Sequence, residues 1–181
     1  MSLTNTQTPK TVTRDQILDT VCYFINDPRG KPSRDYVSTS DPQQLEITED
    51  KCYIGSLSDI VDKEHLVDIK PGTWVIFDYY DHAYGLYGHH IDHPDPVLTY
   101  ERTTSEHSYY GLMSPSVLKD FEDTYEQSGY EEVGECIENN RDIDKNGYIC
   151  FGRGDEGFDL YMARSGGQVT SFLIPCEGLL D

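Results

Sequence analysis

The run His89-His90-Ile91-Asp92-His93 holds the side chains in this chain that most readily suggest chemistry. Imidazole nitrogens and a carboxylate are ordinary ligands for zinc or nickel. His65, His82 and His107 are further imidazoles that folding could bring to the same ion. The plainer reading is a solvent-facing loop, because Asp92, Pro94, Asp95 and Pro96 crowd the segment with turn formers. A second candidate is Asp142-Ile143-Asp144-Lys145-Asn146-Gly147-Tyr148-Ile149. Carboxylate or amide oxygens alternate along it and a glycine follows, as in the first half of a calcium-binding loop. Arg153 then stands where that loop needs a bidentate Glu, and a cation there opposes calcium. The competing reading is an Asn-Gly turn leading into a strand. Cofactor expectations therefore divide. Either there is none, or His89, His90, Asp92 and His93 hold zinc, or Asp142, Asp144 and Asn146 hold calcium.

The histidine run is similar to the H-x-H-x-D-H motif of metallo-β-lactamase-type hydrolases. Gly88 stands at the first ligand position, and no His follows His107 to supply the later ligands. Nucleophilic chemistry has no complete signature. No Ser lies in a G-x-S-x-G elbow, and no glycine loop with its Lys offers to cradle phosphate. Cys22, Cys52, Cys136, Cys150 and Cys176 are odd in number, with no C-x-x-C pair, and read as free thiols of a reducing cytosol. The residues thus lean away from an enzyme and assign no catalytic residue.

Charge is the other strong signal. The formal net charge is −19 over 181 residues. Asp120, Glu122, Asp123, Glu126, Glu131, Glu132, Glu135 and Glu138 follow one another with no Lys, Arg or His between them. Such a field repels bare nucleic acid and anionic membrane and attracts basic protein surfaces. The functional reading is that these carboxylates stand in for nucleic-acid phosphates against a nucleic-acid-binding protein. Tyr79, Tyr80 and Tyr84, interleaved with Asp78 and Asp81, suit the same kind of partner. The plainer readings are a solvated helix face and tyrosines that complete a core short of aliphatics. The expectation is a non-enzymatic acidic binding protein of inhibitor, immunity or anti-defence type. The alternative is a metal-binding protein or metal-dependent hydrolase.

These residues must be positioned by a mainly β scaffold. Residues 1–12 read as a disordered N-terminus. Thr13 reads as the cap of a helix carrying Ile17, Leu18, Val21, Phe24 and Ile25 on one stripe, with a linker to residue 44. A β-rich domain then fills 45–181. Its strands are expected around Leu45 and Ile47, Cys52 to Ile54, Thr73 to Phe77, Val97 to Tyr100, Tyr109-Tyr110, Tyr148 to Phe151, Phe158 to Ala163 and Val169 to Ile174. Ser165-Gly166-Gly167 predicts a hairpin turn. Ser114-Pro115 predicts the start of a second helix, and Val133, Cys136 and Ile137 a third. The class is α+β and β-rich, with sandwich-like antiparallel sheets and two or three peripheral helices. The polar N-terminus and the lack of a long apolar run point to the cytoplasm.

The C-terminal third resembles a domain family of bacteria and their phages, domain of unknown function 4241. The likeness lies in Gly152-Arg153-Gly154-Asp155-Glu156-Gly157-Phe158-Asp159-Leu160-Tyr161, then Gly166-Gly167-Gln168-Val169 and the closing strand. A fainter echo is Cys52-Tyr53-Ile54-Gly55 followed by Pro71-Gly72-Thr73-Trp74-Val75. The resemblance implies a β-rich sandwich of bacterial or phage origin, and it transfers no activity.

Overall fold

Alternation builds the first clear strand. Leu45 and Ile47 point one way and are buried, while Gln44 and Glu46 point the other way and are exposed. The computed structural model describes residues 11–13, 43–79, 85–107, 109–128, 146–151 and 157–175, with the backbone alone for 77–79, 124–128 and 151. The strands are β1 (Thr11–Thr13), β2 (Gln43–Ile47), β3 (Lys51–Ser56), β4 (Leu66–Asp68), β5 (Gly72–Tyr79), β6 (Gly85–His90), β7 (Val97–Thr103), β8 (Tyr109–Met113), β9 (Gly147–Phe151), β10 (Asp159–Ser165) and β11 (Gln168–Ile174). The helices are α1 (Leu57–Val61) and α2 (Pro115–Ser128).

The strands form two antiparallel sheets, so the β-rich, sandwich-like class expected from the sequence holds. The larger runs β1-β7-β10-β11-β6-β5-β2 and the smaller β4-β3-β8-β9. Between them lies the main core. Leu45, Ile47, Trp74, Ile76, Leu86, Leu160, Met162 and Phe172 come from the large sheet; Cys52, Ile54, Tyr110, Leu112 and Tyr148 come from the small one. Side chains on the opposite face of the small sheet, Tyr53, Met113 and Ile149, pack against Leu57 and Ile60 of α1 and Leu118 of α2. The large sheet is buried on its second face too, by Val12, Tyr87, Leu98, Tyr161 and Leu173. Burial on both faces explains why β3 and β8 read as continuous apolar runs rather than alternating ones.

The closing hairpin forms as its sequence predicts. Gly166 and Gly167 hold φ of +60° and +88°, the geometry of a tight turn that a side chain resists. Ser114 starts α2 by accepting the Val117 N–H at 3.4 Å, with Pro115 next. The N-terminal expectation changes at both of its described ends: Gln43 and Gln44, expected in the linker, are strand residues of β2 paired with Ile76 and Val75. Thr11 and Val12 are paired strand, not disordered end, and Thr13 is a strand residue opposite Val97 rather than a helix cap. The rest of that helix, the part of the linker up to residue 42 and the third helix lie outside the described residues.

Candidate functional site

The histidine run differs from its loop reading. His89 and His90 close β6, a strand with β5 on one side and β11 on the other, and both are buried. Neighbouring strand residues face opposite ways. His89 therefore stacks near Tyr87, with ring centroids 5.6 Å apart, while His90 meets the Trp74 edge on the core side. His90 Nε2 lies 3.0 Å from the Pro71 carbonyl oxygen and so must donate; its Nδ1 accepts the Asp92 N–H at 3.2 Å. Both ring nitrogens are occupied in one neutral tautomer. The Lys70 ammonium donates to His93 Nε2 at 3.0 Å and sits 3.5 Å from an Asp92 oxygen. A metal at His93 Nε2 would have to displace that cation. Among the described residues, no three His, Cys, Asp or Glu gather as an ion requires.

Asn146 sits at the head of β9 with φ +61°, a backbone form that Asn tolerates better than most residues. Its side-chain oxygen accepts the N–H of Thr48 at 2.6 Å and of Glu49 at 3.2 Å, and its Nδ2 donates to Thr48 Oγ1 at 2.8 Å. Its own N–H donates to the Glu46 carbonyl, and its carbonyl accepts from Ser114 N–H at 2.7 Å. One residue thus joins the β2–β3 turn, the start of α2 and β9. The Glu49 carboxylate continues the joint by accepting from the hydroxyls of Ser114 and Ser116. Asp142 and Asp144 lie outside the described residues, and the Asn146 oxygen that calcium would use already holds two N–H groups.

A second polar joint was not read from the sequence. Ser56 caps α1, and Asp59 answers it in a capping box. The Asp59 carboxylate, 2 % exposed, accepts from Arg102 Nη1 at 2.8 Å and from Ser105 N–H at 3.1 Å. Arg102 also donates to the Ile54 carbonyl at 2.9 Å. Burial pushes the Asp59 pKa up, but the donors Ser105 and Arg102 outweigh it and hold the carboxyl below its usual range. Gly55 makes room for this. A Cβ there would lie 2.6 Å from the Asp59 oxygen and 2.8 Å from Arg102 Nη2. The Ser-x-x-Asp spacing at 56–59 was the available signal; nothing local pointed to Arg102.

Acidic α2 lies on the outer side of the small sheet. Leu118 is buried, Phe121 half-buried, and Asp120 and Asp123 are exposed. Glu122 turns toward Lys63, 3.1 Å away, so it leaves the outward set. Glu126 is described by backbone alone, and Glu131, Glu132, Glu135 and Glu138 lie outside the described residues. Tyr79 is likewise backbone only, and Tyr80 and Tyr84 are not described. Among the described residues, Lys51 pairs with Asp68, Lys70 with Asp92, Arg102 with Asp59 and Arg164 with Glu101. A groove of about 350 Å³ opens between β4 and the β7–β10 pair, bordered by Leu66, Asp68, Glu101, Met162 and Arg164. The Arg164 guanidinium forks onto Glu101 there at 2.8 and 2.9 Å. Thiol chemistry is disfavoured at Cys52, where burial, then the Glu49 charge, pushes the thiol pKa far up.

No family model, curated protein or solved structure matches this chain.

Proposed function

We propose that this is a non-enzymatic binding protein that docks the acidic face of α2 on a basic protein surface, as an inhibitor or immunity protein of bacterial or phage origin would in the cytoplasm. One observation carries the reading. The chain carries a formal net charge of −19, and Asp120 and Asp123 are exposed on a helix fixed at its start by Ser114 and Glu49. Exposed negative charge of this kind steers encounter with a cationic partner. A groove on a nucleic-acid-binding protein has the matching chemistry, with carboxylates taking the place of phosphates.

The test is capture of partners from host extract on the immobilised chain, beside the double variant Asp120→Lys/Asp123→Lys. Binding should weaken steeply with salt, and the double reversal should weaken it about tenfold or more. Partners retained equally by both proteins and at high salt would refute the reading.

A further inference from the structure

Asn146-Gly147 is the single Asn-Gly step in the sequence. That dipeptide is intrinsically labile because glycine leaves its own backbone nitrogen unhindered. The Gly147 nitrogen attacks Cγ of Asn146, the new N–Cγ bond closes a succinimide, the Cγ–Nδ2 bond breaks, and ammonia leaves with the proton. Water then opens the ring to aspartate or to isoaspartate, whose main chain runs through the former side-chain carbon. The attack needs the amide to rotate freely toward the backbone and to meet water.

Neither condition holds in the fold. The amide oxygen accepts from Thr48 and Glu49 N–H, and the amide nitrogen donates to Thr48 Oγ1, so rotation breaks three hydrogen bonds at once. The residue is 9 % exposed, and Gly147 is already in register opposite Met113. We propose that Asn146-Gly147 is a spontaneous deamidation site that the folded joint keeps closed and that opens when the 46–49 turn lets go. The consequence is directional. Isoaspartate would lengthen the main chain by one atom between Cα of residue 146 and the Gly147 nitrogen, shifting the start of β9, and would turn the carbonyl that accepts from the Ser114 N–H into a free carboxylate. That carboxylate would stand at Ser114, whose hydroxyl already donates to the Glu49 carboxylate. A chain that has opened once and reacted could not re-form this joint, so the step marks chains that have lost it.

The experiment ages the full chain at mildly alkaline pH, in native buffer and in urea, and maps peptides containing residue 146 by mass and by isoaspartyl methyltransferase labelling. Native protein should convert at least about tenfold more slowly than protein in urea, since three hydrogen bonds restrain the amide. Thr48→Val, which removes the Oγ1 acceptor, should convert faster than wild type in native buffer, and Thr48→Ser should restore the slow rate. Equal rates for wild type in the two buffers would overturn the proposal whether or not the valine variant folds. A folded valine variant as slow as wild type would overturn the role given to Thr48.

Discussion

The two polar joints of the small sheet solve one problem in opposite ways. At one end, Asp59 and Arg102 tie α1 and β3 to β7 of the large sheet by a buried ion pair. At the other, Asn146 ties β9, the β2–β3 turn and α2 by neutral hydrogen bonds. The charged joint is strong while both partners are present and costly when one is missing, because a lone buried charge has no water to turn to. The neutral joint loses less on disruption but depends on an amide that chemistry can remove. Charge makes a joint answer to pH; an amide makes it answer to time.

The sharpest way to break this contrast is Arg102→Met. It leaves the Asp59 carboxylate buried with no cation beside it, and urea unfolding should show a loss of about 3–5 kcal/mol. Adding Asp59→Leu should recover much of it. A double variant no more stable than the single would mean that the pair matters for more than charge. Next in size is Asn146→Ala. It strands the N–H groups of Thr48 and Glu49 and puts a Cβ-only residue at positive φ, for an expected loss of about 2–3 kcal/mol by the same assay. Asn146→Asp, which keeps the acceptor oxygens, should lose less.

The smallest effect is in pH, and it separates the joints. The Asp59 carboxyl titrates lower in the fold than its ordinary value of about 4. Its stabilisation is therefore fully present above that value and is lost as pH falls through the folded one. Melting temperature followed down into acid should fall less steeply in the Arg102→Met/Asp59→Leu protein than in wild type. Asn146→Ala should keep the wild-type slope, since no titrating group of that joint is removed.

What the sequence disclosed follows from how local each signal is. The β10–β11 hairpin was legible because two glycines at a turn and alternating flanks act within a dozen residues. So was the start of α2 at Ser114-Pro115. β6 was not. Gly-Leu-Tyr-Gly-His-His shows no two-fold pattern, because both sides of that strand are covered and even its glycine is space-filling: a Cβ on Gly88 would lie 2.5 Å from Phe172. The histidines therefore looked like a loop. α1 escaped because five residues give too short an apolar stripe. Of the acidic block, the chain order showed the charge but not the half-turn that sends Glu122 inward to Lys63. Arg102 finds Asp59 across 43 positions of chain, beyond any spacing rule.

The strand order has a consequence for how the chain is made. β6 and β7 are neighbours along the chain, yet β10 and β11 stand between them in the large sheet. Until the ribosome has released residues as far as Ile174, the β2–β5–β6 portion and the β1–β7 portion have nothing to bridge them. Any half-sheet that forms before then carries a bare edge, and the β10–β11 hairpin enters between the two portions as their keystone. Edge pairing with other chains is the hazard of that interval, and mutual repulsion within a strongly anionic polypeptide is a defence against it.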